Sequence, residues 1–286
     1  MYQLKSQHAS LDAEVIQISP VNGQLKVKLA YLHAENETEE ILYDDVITCT
    51  GFKFDTSIFS KSCIPNLKIN EKYPSITDEF ESTNVPGMYF SGTLTHSLDY
   101  GKSTSGFIHG FRYNCRALVN ILNDKYHNRQ WPNKILEHSS NDIVNNIIER
   151  INQASSIWQQ PGFFSDVILV GEKYSYFTDL PIEYAKSIKF SQSNFFTITL
   201  EYGKINGDIF NQDRVHKDNH LNGEGSKFLH PIIRHYKQGK QIGEHHIVED
   251  LEAVWKDPEH IQYLLNFIVR ELKPKVIPEK EDLETV

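Results

Sequence analysis

The stretch Val85-Pro86-Gly87-Met88-Tyr89-Phe90-Ser91-Gly92-Thr93 decides the predicted fold, because it indicates a short apolar strand that ends at a glycine. Residues 95–105, which follow it, are rich in Ser, Thr and Gly, and a strong helix is predicted from about 106 to 126. A glycine lets the backbone come close to a phosphate or a ring. The N-terminus of a helix presents unpaired N–H groups and a partial positive charge to an anion. This order of elements is typical of nucleotide sites, although many strand–turn–helix units bind nothing.

A second stretch, Asp45-Val46-Ile47-Thr48-Cys49-Thr50-Gly51, is also predicted to be a short strand that ends at a glycine. Upstream of it, residues 14–31 alternate between apolar and polar side chains around Asn22-Gly23, which predicts a β-hairpin. A polar turn over residues 33–40 then leads into a third strand at residues 41–43. These elements together predict a β-meander.

The helix over 106–126 is predicted to bury one apolar face. That face consists of Phe107, Ile108, Phe111, Cys115, Leu118, Val119 and Leu122. A domain boundary is predicted at residues 128–132. A second helix over residues 140–157 follows, with Ser139 or Ser140 as its cap. Its predicted buried face consists of Ile143, Ile147, Ile148 and Ile151.

The rest of the chain is predicted to mix strands and helices. Strands are expected at 166–170 and 195–202, a polar loop at 204–225, and helices at 245–255 and 260–272. The C-terminal region is expected to be packed by Trp131, Trp158 and Trp255. The charged residues 273–286 are expected to form a mobile tail.

Composition and charge indicate a globular chain with no electrostatic surface for nucleic acid. The chain has 286 residues, of which 39% are hydrophobic, and its formal net charge is -9. No run of about 18 apolar residues occurs, so no membrane span is predicted. We find no signal-peptide core near the N-terminus and no KDEL-type retrieval signal at the C-terminus.

Two further predictions concern the cysteines and a glycosylation motif. The three cysteines, Cys49, Cys63 and Cys115, are too few and too scattered for a disulfide framework or a zinc site, and are expected to be free, mostly buried thiols. Asn36-Glu37-Thr38 is a sequon, so Asn36 is a glycosylation candidate if the chain enters a secretory compartment.

The two glycine-ended stretches resemble those of known flavoproteins. Residues 45–52, DVITCTGF, resemble the D-x-V-I-x-A-T-G-Y segment of flavin-containing monooxygenases and related proteins with two dinucleotide-binding domains. In that class the segment marks the return of the chain from the NADPH domain to the FAD domain. Residues 85–93 resemble the last FAD strand, which commonly ends in Gly-Asp. Thr93 stands here in place of that Asp, so the usual carboxylate contact to the flavin ribitol is in question.

A narrower resemblance is carried by the residues that follow. HSLDYGKS over residues 96–103 and GFIHGFRY over 106–113 are similar to the FAD-dependent oxidoreductase domain-containing protein 2 family. That family comprises lumenal flavoproteins linked to endoplasmic-reticulum-associated degradation. Further segments that agree are Lys72-Tyr73-Pro74, residues 228–231 and residues 245–250, so the resemblance extends over about residues 40–255.

The resemblance implies an α/β fold, namely a partial two-dinucleotide-binding-domain flavoprotein fold followed by an α+β C-terminal region. The implied divisions are residues 1–48 as the end of the NADPH-binding domain, 49–127 as the C-terminal part of the FAD-binding domain, 128–272 as a family-specific α+β region and 273–286 as the tail.

One feature of the family is missing from the sequence. No G-x-G-x-x-G fingerprint is present, and its nearest approach, Gly223-Glu224-Gly225, lies in a polar loop with no strand before it. The chain is therefore expected to be the C-terminal portion of a longer flavoprotein, either a partial sequence or a truncated gene product.

The resemblance also implies which residues would contact FAD. They are Thr50, Gly51, Phe52, Gly92, Thr93, Lys102, Ser105, Gly106 and Phe107. The helix N-terminus near residues 105–107 would direct its N–H groups to the pyrimidine edge of the flavin.

No catalytic residue and no metal site is assigned from the sequence. His96 and Asp99 fit a hydrogen-bonded structural pair better than an acid/base pair. His245, His246 and Glu249 lack the H-E-x-x-H order and a third ligand, so they are interpreted as structural.

The function implied by the resemblance is that of an NADPH-dependent FAD oxidoreductase of the endoplasmic reticulum lumen. Its partners would be misfolded client proteins and components of endoplasmic-reticulum-associated degradation. No Cys-x-x-Cys is present, so any thiol relay would come from a partner protein. Two alternatives remain open: a non-catalytic binding module that has lost the cofactor loops, and a flavin monooxygenase-like enzyme. The sequence leaves open whether this chain alone is an enzyme.

Overall fold

The computed structural model describes residues 13–208 and 211–273. The chain divides into two compact units, with the division between Phe52 and Lys53. Residues 274–286 of the tail predicted over 273–286, and positions 209 and 210 of the predicted polar loop, lie outside the described residues.

The first unit contains a three-stranded antiparallel sheet in the order β1-β2-β3. Its strands are β1 (Ala13–Val21), β2 (Gln24–Tyr31) and β3 (Glu37–Tyr43). The predicted hairpin is confirmed: Asn22 and Gly23 have φ of 50° and 82°, the left-handed conformations of a two-residue type I′ turn. The predicted meander is also confirmed, although β3 begins within the stretch that we expected to be a polar turn.

The strands predicted at the two glycine-ended stretches are not formed. Residues 45–51 are irregular and pair with no strand among the described residues, and Ile47 is 86% exposed. Residues 87–92 form only the isolated bridge between Tyr89 and Glu81. An apolar run becomes a strand only when a neighbouring strand satisfies its backbone groups in succession, and the bonds of Met88 and Phe90 to the turn of residues 80–82 are too few to extend the bridge into a strand.

The second unit is built on a six-stranded sheet in the order β11-β10-β9-β7-β8-β6. Its strands are β6 (Asn133–Leu136), β7 (Phe164–Leu169), β8 (Tyr174–Pro181), β9 (Asn194–Glu201), β10 (His230–Lys237) and β11 (Lys240–His246), and a separate pair is formed by β4 (Leu67–Lys68) and β5 (Tyr73–Pro74). The helices are α1 (Ile108–His127), α2 (Ser140–Gln153), α3 (Ser155–Gln159), α4 (Ile182–Tyr184) and α5 (Pro258–Leu272), with 3-10 helices at Gly92–Ser97 and His220–Gly225 and a π-helical turn at Ala185–Lys189.

All described strand pairs are antiparallel. The expected mixture of helices and strands is therefore present. The partial two-dinucleotide-domain arrangement stays a prediction, because the described residues contain no parallel sheet.

Helix α1 confirms the predicted helix but not its predicted buried face. The buried residues are Gly110, Tyr113, Asn114, Ala117 and Ile121. Phe107, Ile108 and Val119 are instead 66%, 64% and 57% exposed. The helix has apolar residues around much of its circumference, so periodicity alone identified a face that the described residues leave uncovered.

The second predicted helix is present as α2 and α3, which are separated at Ala154, where ψ is 112°. All four isoleucines of its predicted face are buried. Ser139 occupies the N-cap position but makes no side-chain capping bond. The predicted packing role of the tryptophans is confirmed: Trp131 and Trp255 are buried, and the rings of Trp158 and Trp255 lie 5.8 Å apart.

The strands predicted near β7 and β9 and the helix predicted at 260–272 are confirmed. The helix predicted over 245–255 is wrong, because residues 240–246 form strand β11. Gln238 and Gly239, both with positive φ, join it to β10 as a hairpin. Strands β6, β8, β10 and β11 were not predicted, because their polar and aromatic residues conceal the alternation.

The structure also tests the predictions about membrane spans and cysteines. No helix in residues 13–208 and 211–273 is long and apolar enough to cross a membrane. The three cysteines are free, but the expectation that they are mostly buried is wrong, since Cys49 is exposed and the other two are half-buried.

Candidate functional site

The candidate site is the segment from Gly92 to Phe107, which links a 3-10 helix to the start of α1. Gly92 has a φ of +65°, and a side chain added there would meet no atom within 4 Å, so its backbone faces open space. The 3-10 helix of Gly92–Ser97 turns the chain toward α1. The segment therefore combines an accessible backbone at one end with a helix start at the other.

A buried carboxylate closes this segment into a loop. Asp99, which is 2% exposed, accepts a hydrogen bond from the backbone N–H of Ser105 at Oδ2, at 3.1 Å. Its Oδ1 lies 2.9 Å from Nδ1 of His96. The hydrogen bond expected between His96 and Asp99 is thus present, and Asp99 ties the two ends of the loop together.

His96 is enclosed by aromatic rings and by glycine backbone. Its ring lies 5.7 Å from that of Tyr73 and 5.2 Å from that of Tyr100. A side chain at Gly106 would come within 3.1 Å of Cδ2 of His96, so the glycine allows the His96 ring to pack closely against the backbone. Burial, with Tyr100 and Asp99 nearby, raises the pKa of Tyr73.

A buried network of hydroxyl and amide groups supports the loop from behind. Nδ2 of Asn114 donates to Oγ1 of Thr95 at 2.6 Å and to Oγ of Ser105 at 2.9 Å. The Ser105 hydroxyl donates to Oε1 of Gln160 at 2.6 Å. The Gln160 amide donates in turn to Oδ1 of Asn114 at 2.5 Å and to the carbonyl of Gly110 at 3.0 Å. Residues from three parts of the chain therefore hold the loop rigidly.

Sequence reasoning did not identify Asn114 and Gln160. The available signal was Asn114 itself, a polar residue among the apolar residues of the predicted helix, on the face that is buried in the structure. Gln160 precedes Pro161-Gly162, a turn signature, but nothing local shows that its side chain points back to α1.

Helix α1 begins without a capping side chain. Phe107 is the N-cap residue and makes no side-chain hydrogen bond, and the first turn contains no acidic residue. The first N–H groups of the helix that find an acceptor are those of Gly110 and Phe111, which both donate to the carbonyl of Phe107. Among the described residues, the N–H groups of Ile108 and His109 make no hydrogen bond. An uncapped, exposed helix start is suited to bind a hydrogen-bond acceptor or an anion.

The structure places the residues predicted to contact FAD in three settings. Thr50, Gly51 and Phe52 lie in exposed coil at the end of the first unit, and Gly51 has a φ of 83°. In the second unit, Gly92, Thr93, Gly106, Phe107 and Lys102 lie on the accessible side of the loop, whereas Ser105 is fully buried. The Ser105 N–H is bound to Asp99, so Ser105 supports the loop from inside.

A cavity of about 180 Å³ lies beside the loop. It is lined by Asp99, Lys102 and Ser103 from the loop and by Phe163 and Tyr184 from the C-terminal region, among others. Burial next to Asp124 raises the pKa of Tyr184. The cavity shows that the C-terminal region shapes the surroundings of the candidate site.

The histidine group of the C-terminal region is not arranged for a metal. His245 stacks on Phe267, and His246 places Nδ1 2.9 Å from Nε2 of His230. Glu249 accepts backbone N–H groups from Val215 and Phe228, both at 2.7 Å. Within the described part of the chain, no group of three His, Cys, Asp or Glu residues is placed to hold a metal ion.

Comparison with known proteins agrees with the resemblance seen in the sequence. Residues 2–92 match the family described as pyridine nucleotide-disulphide oxidoreductase. Two curated relatives are both named FAD-dependent oxidoreductase domain-containing protein 2. The mouse protein is 31% identical over 319 aligned positions, which cover 93% of this chain and 47% of the relative. The zebrafish protein is 32% identical over 282 positions, which cover 90% of this chain and 40% of the relative.

The chain thus spans less than half the length of the curated relatives it matches. No solved structure matches it.

Proposed function

Because the chain is homologous, over at least 90% of its length, to proteins named FAD-dependent oxidoreductase domain-containing protein 2, we propose that it forms part of an oxidoreductase in which NADPH reduces a bound FAD. The nicotinamide donor is supported by the match of residues 2–92 to the pyridine nucleotide-disulphide oxidoreductase family. The same family description supports a disulphide, or another oxidisable group, as the final substrate.

The observation that carries the proposal is the uncapped start of α1, held in place by the Asp99 loop. The N–H groups of Ile108 and His109 make no hydrogen bond to the described residues, and residues 107–109 are exposed. These groups fit an electron-rich ring edge that gains negative charge on reduction. A helix N-terminus stabilises such charge by about 0.3–2 kcal/mol.

The residues that would hold FAD follow from this geometry. Ile108 and His109 would donate to the acceptor edge of the flavin, and Gly92 and Thr93 would lie along its ribityl chain. FAD, when bound, supplies the acceptor for the hydride of NADPH. Asp99, Asn114 and Gln160 would not touch it but would keep the loop in one conformation.

We also propose the cellular setting that the resemblance implies. The protein would act in the endoplasmic reticulum lumen on misfolded clients, together with components of endoplasmic-reticulum-associated degradation. Asn36, exposed in the turn between β2 and β3, would be glycosylated there. These statements rest on the resemblance and on the exposure of the sequon.

The proposal is tested by flavin binding to a variant that blocks the start of α1. The purified chain is mixed with FAD, desalted, and examined for the visible flavin band. Phe107 has the extended conformation of an N-cap residue, with φ −124° and ψ 157°. An Asp at this position should therefore cap the helix and stabilise it by about 1 kcal/mol. Phe107→Asp should lose the flavin without losing stability, because its carboxylate accepts from the N–H groups at the start of the helix and leaves them unavailable to the flavin.

The matched control is Val119→Asp, which places the same charge on an exposed position in the middle of α1. It should retain flavin as the unmodified chain does. Equal binding by Phe107→Asp and Val119→Asp would show that the start of α1 is not the flavin site. If the unmodified chain binds no flavin, the start of α1 is not sufficient for binding, and the comparison is repeated on a chain extended upstream; absence of flavin from both lengths would favour the non-catalytic binding module.

A further inference from the structure

A second polar cavity, of about 320 Å³, lies between α1, the junction of α2 and α3, and β8. Three arginines contribute to its lining: Arg112 and Arg116 from α1, and Arg150 from α2. Asp179 on β8 supplies a single negative charge to the lining. The cavity shares no lining residue with the loop from Gly92 to Phe107. Positive charge is thus concentrated here in a chain whose net charge is -9.

Arg150 forms the rigid wall of this cavity, because acidic groups already bind it. Its Nε lies 2.6 Å from Oδ2 of Asp166, which is fully buried, and one terminal nitrogen lies 3.1 Å from Oδ1 of both Asp166 and Asp179. Asp179 is held in a left-handed conformation, with φ 60°, beside the bulge that shifts the β7–β8 register. Two carboxylates thus occupy Arg150, and the group keeps a net positive charge because Arg112 and Arg116 add two further cations.

Arg112 and Arg116 make few hydrogen bonds and ion pairs with the described residues. The only hydrogen bond of the Arg112 guanidinium to the described residues goes from one terminal nitrogen to the Tyr113 hydroxyl, at 2.6 Å. Arg116 makes no hydrogen bond to them, and its ion pair with Asp179 is long, at 3.9 Å. The Arg116 side chain is 68% exposed. Most N–H groups of both side chains can therefore turn toward a bound molecule.

The hydroxyl groups of the cavity add another unused donor. The Tyr113 hydroxyl accepts from Arg112 and donates to Oγ of Ser155 at 2.6 Å. Ser155 is the acceptor in that bond, so its own proton is available, and Ser155 is exposed. The Ser156 hydroxyl donates to Asp179 and takes up one of the few acceptors. Donors thus outnumber acceptors, which is the arrangement that an acceptor-rich anion would complete.

We propose that this cavity binds a phosphate group, either as free phosphate or as the phosphate of a small ester. Its free donors come from two successive turns of α1 and from the start of α3, so they approach a ligand from more than one direction. A tetrahedral phosphate presents acceptors in several directions, whereas a carboxylate presents two in one plane. Arg112 and Arg116 donate hydrogen bonds to the phosphate. The ion pair of Arg150 with Asp179 forms the opposite, fixed part of the cavity lining.

The test is binding of orthophosphate and of glycerol phosphate to the full 286-residue chain at constant ionic strength, followed by 31P NMR line width and by thermal unfolding. Arg116→Gln and Arg112→Gln should each weaken phosphate binding about tenfold, since each removes a charge-assisted hydrogen bond. Arg116→Gln is the cleaner variant, because Arg112 also packs over the Tyr113 ring at 4.6 Å. The matched control is Arg129→Gln, an exposed arginine outside the cavity, which should bind as the unmodified chain does.

Tighter binding of glycerol phosphate than of orthophosphate would identify an ester as the ligand, and tighter binding of orthophosphate would identify free phosphate. Both results support the site if the two variants weaken them. No binding to the unmodified chain overturns the proposal, as does equal binding by Arg116→Gln and Arg129→Gln, which would indicate an adventitious ion only. The result does not depend on whether the chain binds flavin.

Discussion

The side-chain amide of Gln160 donates to Oδ1 of Asn114 at 2.5 Å, across 46 residues of sequence. This bond joins the turn after α3 to the buried face of α1. Because Asn114 also donates to Ser105, the C-terminal region holds the loop that we propose for flavin binding. The loop and the C-terminal region lie in the same compact unit. The region after α1 is therefore part of the scaffold of the candidate site.

The first prediction concerns Gln160. Gln160→Ala should lower the free energy of unfolding by about 2–4 kcal/mol, because it leaves the buried Oδ1 of Asn114 and the carbonyl of Gly110 without a donor. Urea unfolding followed by tryptophan fluorescence measures this change, since Trp131, Trp158 and Trp255 all lie in the second unit. The matched control is Gln192→Ala, at an exposed position, which should change stability by less than about 0.5 kcal/mol. Similar values for the two variants would mean that the network contributes little.

Local signals in the sequence predicted several elements correctly. Asn22-Gly23 fixed the first hairpin through its turn type, and the isoleucine spacing of α2 identified its buried face. In both cases the signal lies within a few consecutive residues, so the local sequence was sufficient to predict the element.

Features that depend on distant partners were not predictable in this way. Residues 45–51 look like a strand but have no neighbouring strand among the described residues. Residues 245–255 were predicted to form a helix, but residues 240–246 form β11 and pair with β10. The candidate loop was predicted from the family resemblance and from its glycines. The hydrogen bond between Ser105 and Gln160, which holds the loop, joins distant parts of the chain and is not encoded by any local pattern.

The second prediction compares three glycines. A side chain at Gly110 would lie 2.3 Å from the carbonyl oxygen of Thr104, which is backbone and cannot move away. Gly110→Ala should therefore destabilise the chain by several kcal/mol or prevent folding, as expected for severe overpacking (about 1–3 kcal/mol or more). For Gly106→Ala the nearest atoms belong to the His96 ring, at 3.1 Å and beyond, and a side chain can shift, so this variant should cost less.

Gly171→Ala is the control for both variants, since its nearest neighbour would lie at an ordinary 3.7 Å. Soluble yield and the urea midpoint rank the three variants. The expected order of stability is Gly171→Ala, then Gly106→Ala, then Gly110→Ala, and a stable Gly110→Ala protein would contradict the packing of α1 against the loop.

The third prediction concerns the sequon. Asn36 is exposed, in the turn before β3, and Thr38 is exposed at the start of that strand. When the chain is directed into a secretory compartment, endoglycosidase treatment should therefore increase its electrophoretic mobility. Thr38→Ser keeps the sequon and should keep the mobility change, whereas Thr38→Ala and Asn36→Gln should abolish it. A mobility change that persists in Asn36→Gln would place the glycan elsewhere.

The fourth prediction is a pH dependence that originates at His245. Its ring is stacked on Phe267 with the centroids 5.3 Å apart, and Nε2 has no hydrogen-bond partner among the described residues. Burial, aided by the charges of His246 and Arg270, lowers the pKa of His245 to about 4. An unfolded histidine titrates near about 6.5, so between these two values the unfolded state binds more protons than the folded state. The free energy of unfolding must therefore fall as the pH drops through this window.

His245→Leu removes this titration and keeps an apolar contact with Phe267. Relative to the unmodified chain, the variant should gain about 2–3 kcal/mol of stability between about pH 7 and about pH 4. Urea unfolding at both pH values measures the difference. His109→Leu, at an exposed position on α1, is the matched control and should show no such gain. Because carboxylates and other histidines titrate in both proteins, only the difference between them isolates His245. Parallel stability curves for His245→Leu and the unmodified chain would show that His245 titrates equally in the folded and unfolded states.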